Sequence, residues 1–232
     1  MTASPSSNRN STQAGFTLVE IAIVLVIIGL LLGGILKGQE MITQARIKNA
    51  INDFNGITVA VTSYQDRYRG LPGDDKGAGA RWTTQVPASG DGDGVIAGKY
   101  NANNTGGTGG APANTAESNL FWQHLRIAGF VPGLTSGTGS GTPPPNAVGG
   151  IIGVESAVVG TNGLGFTSVI VCSSNVPDKV AIAIDTQADD SNSQTGQIRA
   201  QLQTAANPDT VASPASAYAE TGVNQYLVCK TF

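Results

Sequence analysis

Two short, oxygen-rich stretches hold the side chains with the most evident chemistry in this sequence. The first, "SGDGDGVIAG" (89–98), places Asp91 and Asp93 two positions apart within a glycine turn. Alternating carboxylates around a glycine are typical of the centre of an EF-hand-type calcium loop, because alternate side chains turn their oxygens inward. The stretch predicts either a calcium site or an Asp-Gly turn that holds no metal.

A calcium ion at residues 89–98 requires a further carboxylate. Tyr100 falls at the position where an EF-hand loop carries its closing acid. Asp74 and Glu117 are the candidates to supply that carboxylate from other parts of the chain. Glu117 has an alternative role, since it follows Asn114 by three residues in a capping-box pattern at the start of a helix.

The second oxygen-rich stretch is "DTQADDSNSQTG" (185–196). Its candidate calcium ligands are Asp185, Asp189, Asp190, Asn192 and Thr195. Carboxylate and amide oxygens suit calcium, but Asp189 and Asn192 can equally cap a helix and turn the chain. Calcium is the only cofactor that the sequence suggests, and no cofactor is predicted to be required.

No catalytic constellation is present in the sequence. His124 is the only histidine, and it lies in a segment with helical periodicity, where it is expected to be structural. Neither a G-x-S-x-G nucleophile motif nor a phosphate-binding Walker loop occurs. The chain is therefore predicted not to be an enzyme. Its net charge of −3 and the lack of a Lys/Arg cluster also argue against nucleic acid as a partner.

An apolar segment near the N-terminus follows a polar stretch, residues 1–15. From Phe16 to Leu36 the only polar residues are Thr17 and Glu20. As a helix this run spans about 31 Å, the thickness of a bilayer's hydrocarbon core. No small-residue cleavage site follows it, so the run is interpreted as a retained transmembrane segment rather than a secretory signal.

Glu20 is the unusual residue of this segment. A charged carboxylate at the centre of a bilayer costs about 2.5–3.5 kcal/mol or more. Glu20 lies one helical turn from Phe16, so one interpretation is that it reaches the membrane interface. The other is that it meets a cation, which compensates the charge.

The residues "GFTLVE", with Gly15, Phe16 and Glu20 ahead of an apolar helix, resemble the signal of type IV prepilins and type II secretion pseudopilins. The resemblance implies that a prepilin peptidase cuts between Gly15 and Phe16 and then methylates the new N-terminus at Phe16. It also implies that residues 1–15 are a leader, and that Glu20 pairs with the Phe16 amine of a neighbouring copy.

The same resemblance implies the partners and the location of the protein. The expected partners are further copies of the chain or of related subunits in a filament, the prepilin peptidase, an inner-membrane assembly platform, and membrane lipid before assembly. The precursor is expected in a bacterial inner membrane and the filament outside the cell or in the periplasm. Three roles stay open: a type IV pilus subunit, a secretion pseudopilin, and a membrane-anchored periplasmic binding domain that never polymerises.

Glycines within the apolar segment allow two interpretations. Gly29 and Gly33, and Gly34 and Gly38, have the small-xxx-small spacing that lets helices approach closely. Many pilins carry a proline in this zone, where the helix melts on assembly, and this sequence has none there. The glycines are interpreted either as its replacement or as ordinary transmembrane glycines.

The predicted fold class is α+β, with a long N-terminal helix at residues 16–69 packed on a small, mainly antiparallel sheet with long loops. The resemblance identifies this as the pilin fold. The second half of the helix carries an apolar stripe with alternating spacings of three and four. Gly70 and Pro72 are predicted to end the helix, with Gly70 as a left-handed cap. The stripe comprises Ile47, Ala50, Phe54, Ile57, Val61, Tyr64 and Tyr68.

The rest of the chain divides into a loop region and a sheet domain. Residues 70–150 are predicted to be mostly loop, with one helix at 115–128. Residues 151–232 are predicted to form the sheet, with one inserted helix in "PDKVAIAIDTQA" (177–188). The four predicted strands lie within "IIGVESAVVG", "LGFTSVIVC", "GQIRAQLQ" and "QYLVCK".

The two cysteines, Cys172 and Cys229, fit no zinc pattern. Outside the cytoplasm they predict one disulfide; the alternative is a pair of buried, reduced thiols. A bridge would join the second strand to the last and close a long loop, which stabilises by about 4 kcal/mol in the chain-entropy model. The resemblance favours the bridge, because many type IV pilins close their C-terminal region with a disulfide.

Overall fold

The computed structural model of the chain describes most of the sequence after the first fourteen residues. The described residues are 15–85, 88–102, 116–137, 139–214 and 217–232. The predicted leader, residues 1–15, therefore lies outside this part except for Gly15. Contacts divide the chain into two compact units, Met1–Thr43 and Gln44–Phe232.

Helix α1, Leu18–Tyr68, accounts for the described part of the first unit and continues into the second. It is the one described helix that is long and apolar enough to cross a membrane. Every residue from 15 to 37 is exposed. This exposure agrees with a segment whose apolar side chains are covered by something other than the described residues of its own chain.

The second unit is built on the predicted apolar stripe of α1. Six of its seven residues are buried, and Tyr68 packs against the same core. A stripe with spacings of three and four puts these side chains on one helix face, and that face covers the sheet. The core on this side includes Val154, Val171, Ala200 and Val228 of the strands.

Four antiparallel strands form the sheet, in the spatial order β1-β2-β4-β3. β1 spans Ile152–Ser156, β2 Val169–Pro177, β3 Ile198–Leu202 and β4 Gln225–Thr231. β2 carries a bulge between Ser173 and Val176, where Asn175 adopts a positive φ of 56°. The predicted α+β arrangement, a long helix on a small antiparallel sheet, is confirmed.

A second apolar cluster covers the opposite face of the sheet. It joins Ile170 and Cys172 of β2 to Leu227 and Cys229 of β4, and loop residues close it from outside. Those loop residues are Tyr100, Leu164 and Phe166. Burial on both faces explains why "VIVC" and "YLVC" are continuous apolar runs rather than alternating ones.

The strand boundaries correct one prediction. The run "LGFTSVIVC" was predicted to be a single strand, but β2 begins only at Val169. Gly163–Gly165 form a 3-10 turn in which Leu164 has a positive φ of 55°. Leu164 and Phe166 are apolar because they seal the second face of the sheet, and not because they belong to a strand.

The end of α1 corrects a second prediction. The helix ends at Tyr68 as expected, but Arg69 and not Gly70 has the left-handed conformation, with a φ of 57°. Gly70 is nevertheless constrained, because a Cβ there would lie 3.1 Å from the Asp75 carboxyl carbon. The glycine thus permits a close approach rather than a cap.

Three shorter helices complete the fold. α2, Ala78–Arg81, was not predicted. α3 spans Glu117–Ile127 and follows Ala116, which gives no side-chain cap. Asn114, the predicted cap, lies outside the described residues. The predicted capping-box role of Glu117 is wrong because Glu117 is the first residue of α3 rather than the third, and its side chain binds another loop. α4, Asp178–Ala188, matches the predicted inserted helix.

The predicted disulfide is present between Cys172 and Cys229, which lie directly opposite each other on β2 and β4. Both residues are fully buried in the second apolar cluster. The bridge therefore staples the two central strands of the sheet.

We expect the double variant Cys172→Ala, Cys229→Ala to unfold at a lower denaturant concentration than the oxidised chain. Without the cross-link, the loop between two cysteines 57 residues apart is no longer closed in the unfolded state, whose entropy rises. The free energy of unfolding is expected to fall by about 4 kcal/mol. Tryptophan fluorescence during denaturation of the full chain in detergent measures it. Because the variant has no cysteines, a reductant should leave its unfolding curve unchanged. Equal midpoints for the variant and the disulfide-bonded chain would contradict the prediction.

Candidate functional site

Thr17 and Glu20 close the N-terminus of α1. The Thr17 hydroxyl accepts a hydrogen bond from the Glu20 N–H at 3.3 Å. In return, Glu20 Oε2 accepts hydrogen bonds from the Thr17 N–H and the Thr17 hydroxyl, both at 2.8 Å. This reciprocal pattern is a capping box, which satisfies amide groups that a helix start leaves unpaired. Sequence reasoning missed it, although Thr-x-x-Glu ahead of an apolar run is its usual signal.

The capping box gives Glu20 a local role that does not depend on another chain. Its carboxylate lies at the positive end of the helix dipole, where a negative charge is stabilised. Only Oε2 is engaged, and Oε1 has no hydrogen-bond partner among the described residues. The carboxylate is thus held against Thr17 at the start of α1, with one oxygen left to accept from a cation.

The glycines of the apolar segment have open space around them. A Cβ added at Gly29, Gly33, Gly34 or Gly38 would meet no other atom within 4 Å. None of them is therefore required for packing among the described residues. The space they leave is of the kind that admits a second helix.

Asp74 stands at the centre of the first acidic cluster. Its Oδ1 accepts hydrogen bonds from the backbone N–H groups of Gly92 and Asp93, and its Oδ2 accepts one from Gly94 at 2.8 Å. The residue is buried, with 5% of its surface exposed. The sequence named Asp74 as a candidate partner of the 89–98 loop, and the structure brings the two together.

Glu117 reaches the same loop from the start of α3. Its two carboxylate oxygens accept hydrogen bonds from the N–H groups of Asp91 at 3.0 Å and Ala97 at 2.9 Å. Burial raises the pKa of Glu117, and the negative charges of Asp74 and Asp91 add to that shift. The hydrogen bonds from the Asp91 and Ala97 N–H groups oppose this shift, because they stabilise the charged carboxylate.

The four acids of this first cluster fit a hard cation in their chemistry. Asp74, Asp91, Asp93 and Glu117 each offer one oxygen, and these oxygens lie within 4.8 Å of one another. Asp91 and Asp93 are exposed, and each uses Oδ1 to accept the N–H two residues on, at 3.1 and 2.8 Å. These hydrogen bonds agree equally with the alternative prediction of an Asp-Gly turn. Tyr100 takes no part, since its hydroxyl donates to the Pro208 carbonyl.

The second acidic cluster lies where α4 ends. Asp185, Asp189 and Asp190 each bring one carboxylate oxygen within 4.8 Å of the others. Asp185 is fully buried and accepts hydrogen bonds from the Ser191 N–H and the Tyr218 hydroxyl. Burial raises the pKa of Asp185, and the charges of Asp190 and Asp189 raise it further.

The remaining residues of this cluster order the following turn. Asp189 accepts the Ile198 N–H at 2.7 Å, and Asp190 accepts the Asn192 N–H at 2.9 Å and the Thr195 hydroxyl at 2.6 Å. The Asn192 amide oxygen accepts the Gln194 N–H. Each predicted ligand thus has a structural hydrogen bond, and the oxygen-rich donor set also suits calcium.

His124 is fully buried in α3 and joins two loops. Its Nδ1 accepts the Gly73 N–H at 3.0 Å, so Nε2 carries the proton and donates to the Ala88 carbonyl at 2.9 Å. The ring stacks on Tyr64 with 6.3 Å between centroids. This neutral ring with both nitrogens engaged matches the predicted structural role.

Comparison with known proteins gives a match to a family model and a match to a curated relative. Residues 10–36 match the family model of the prokaryotic N-terminal methylation motif. A fimbrial protein of Neisseria meningitidis serogroup B is 33% identical over 78 residues, which are 33% of this chain and 46% of the relative. The two matches support a type IV pilin family. The match covers less than half of the fimbrial relative, and no solved structure matches the chain.

These findings confirm the resemblance that the "GFTLVE" segment indicated. They support a pilin-type structural subunit, and the apolar α1 segment is consistent with a membrane-anchored precursor and a filament. The capping box and the apolar run from Phe16 to Leu36 both lie within the matched motif. The two acidic clusters lie outside the 10–36 match.

We expect His124 to make the stability of the folded chain fall at acid pH. Burial lowers the pKa of His124 below the ordinary value of about 6.5. The unfolded chain therefore binds the proton first, and the free energy of unfolding drops as pH falls below about 6.5, by up to about 1.4 kcal/mol per pH unit. Denaturant unfolding at pH 7.5 and 5.5 measures this.

The control is His124→Phe, which is expected to cost about 2 kcal/mol or more because it leaves a buried N–H and a carbonyl unpaired. Groups with raised pKa, such as Glu117 and Asp185, change stability in the opposite direction and are common to both proteins. The difference between wild type and variant isolates the histidine. A difference that does not change with pH would contradict the assignment.

Proposed function

We propose that this chain is a structural subunit of a type IV pilus or pilus-like filament, polymerised through its N-terminal helix. The observation that carries the proposal is the match of residues 10–36 to the methylation motif, which includes the exposed apolar first half of α1. Prepilin peptidase is proposed to remove residues 1–15 and methylate Phe16. An inner-membrane assembly platform is then proposed to move the subunit from lipid into the filament.

The proposed assembly step is a transfer of the apolar helix from one apolar environment to another. Residues 16–36 lie in lipid in the precursor and against other copies of α1 in the filament. Cleavage creates a positive amine at Phe16, and an unpaired charge is costly in either place. In our proposal Glu20 of one subunit compensates the amine of its neighbour, and Thr17 holds the carboxylate in position through the capping box.

One feature of the second unit supports a location outside the cytoplasm. The buried Cys172–Cys229 disulfide persists in oxidising compartments and is rare in the cytosol. The filament is therefore proposed to lie outside the cell or in the periplasm, with the second unit folded there. Further copies of this chain or of related subunits are its proposed partners, and no nucleic-acid partner is proposed.

A second candidate is a pseudopilin of a type II secretion system. The observation in its favour is the pair of acidic clusters. Major pseudopilins of type II secretion, which the N-terminal segment resembles, use calcium to order a loop. Both candidates share cleavage, methylation and polymerisation, so the tests of assembly apply to both.

We expect Glu20→Gln to insert into the membrane and to be cleaved, yet to assemble poorly. Glutamine keeps an oxygen that can accept from Thr17, so the helix start is retained while the negative charge is lost. The matched control is Thr17→Ala, which removes the capping hydroxyl and keeps the charge. Filament yield per cell, measured by shearing and immunoblotting, should fall at least tenfold for Glu20→Gln and much less for Thr17→Ala.

The two variants separate charge compensation from helix capping. Normal yield from Glu20→Gln, with loss of filaments in Thr17→Ala, would show that capping is the role of this residue and would contradict the proposal. Mass spectrometry of the mature N-terminus accompanies the assay. A retained leader on the wild-type subunit would overturn the filament proposal itself and favour a membrane-anchored domain that does not polymerise.

We also propose that the first acidic cluster binds calcium. Asp74 and Glu117 would hold the ion from the buried side and Asp91 and Asp93 from the exposed side. Burial raises the pKa of Glu117 and the clustered charge adds to it, and the ion would offset that charge. The second cluster, at Asp185, is a weaker candidate because it contributes three carboxylates rather than four.

We expect 10 mM calcium to stabilise the full chain relative to chelator by about 1–3 kcal/mol, the range for a site with the millimolar or submillimolar affinity of extracellular modules. Asp93→Asn keeps the oxygen that accepts the Val95 N–H and removes the charge, so it should abolish the gain. Asp190→Asn is the matched change in the second cluster. Equal melting temperatures with calcium and with chelator would show that the first cluster is an amide-bonded turn without a metal.

A further inference from the structure

A cleft of about 290 Å³ lies on the second unit, away from both acidic clusters. The second half of α1 forms one wall, and α3 with the segments around residues 130 and 145 forms the other. Its volume is near the lower end of the range of about 300–1,000 Å³ that is usual for small-molecule sites. The lining is mainly apolar and aromatic, and includes Ile57, Trp122, Phe130 and Pro145.

Asp53 is the one charged side chain among the residues that line this cleft. It is half-buried, and within the described part of the chain it accepts no hydrogen bond and forms no ion pair. Burial raises the pKa of Asp53, with no opposing contribution from a nearby cation or donor. By contrast, each buried acid of the two metal-candidate clusters has several donors.

An uncompensated carboxylate beside aromatic walls selects the charge of an occupant. A neutral apolar molecule would remove more water from Asp53 and give nothing in return, and an anion would be repelled. A cation gains from both features, because it pairs with the carboxylate and is attracted to aromatic faces within about 6 Å. The apolar lining then favours a cation that carries an apolar body rather than a hydrated metal ion.

We propose that this cleft binds a small organic ammonium ion, with the ammonium group at Asp53 and the apolar body against Phe130 and Pro145. The site is independent of polymerisation and of calcium. Gly56 offers a means of closing it, since this glycine lines the cleft and a Cβ there would meet no atom within 4 Å.

The test uses the full chain in an uncharged maltoside detergent and two probes with the same carbon skeleton, phenethylammonium and 2-phenylethanol. Dissociation constants are measured by ligand-observed NMR titration. The ammonium is expected to bind at least tenfold more tightly than the alcohol. Asp53→Asn should remove this difference, whereas Asp66→Asn, which removes the same charge from an exposed position of the same helix, should retain it.

Gly56→Leu is the second variant, and it should abolish binding of both probes while the chain stays folded, because leucine fills the cleft and suits a helix better than glycine. Equal affinity for the ammonium and the alcohol, or unchanged binding in Gly56→Leu, would overturn the proposal. So would loss of ammonium binding when subunits assemble into filaments, because a second copy would then be the occupant. Failure of this test leaves the assembly proposal untouched, since none of these residues belongs to the N-terminal segment.

Discussion

An apolar helix segment that the described residues of its own chain leave exposed is the constraint on which the rest of this protein depends. Residues 15–37 are exposed without exception. At roughly 25 cal/mol for each square ångström of apolar surface, exposure of some twenty such side chains to water is prohibitive. They therefore need a covering that the described residues do not supply, and we propose that lipid and then other copies of the helix provide it. Within either environment the polar groups at the helix start need partners, and the capping box of Thr17 and Glu20 provides them locally.

The second unit is a folded domain that is built on the other half of the same helix. The stripe from Ile47 to Tyr64 covers one face of a four-stranded sheet, and loop residues cover the other. The disulfide lies under those loops and joins the two central strands. Buried carboxylates of Asp74 and Glu117 then fix the 89–98 loop through backbone amides. Long loops are thus held by side-chain oxygens where regular secondary structure is sparse.

The features that sequence predicted well are those with a fixed period or a unique partner. The stripe of α1 follows the helical repeat, and two cysteines allow only one intramolecular pair. Predictions failed where tertiary contacts decide the conformation. Leu164 was predicted to lie in a strand because it is apolar, yet it packs from a loop onto the second face of the sheet. Glu117 was predicted to cap a helix, but its carboxylate binds a distant loop. Asp74 lies near Asp91 only because of the folded path of the chain. The sequence could therefore identify Asp74 only as a candidate partner of the 89–98 loop.

The central claim is that a carboxylate of one subunit compensates the new amine of another. The most direct measurement is a filament structure at side-chain resolution by electron cryomicroscopy. The account predicts a methylated amine at Phe16 within about 4 Å of a Glu20 carboxylate oxygen from an adjacent subunit, the usual limit for an ion pair. A filament in which Glu20 contacts only Thr17 of its own chain, with the Phe16 amine elsewhere, would contradict it.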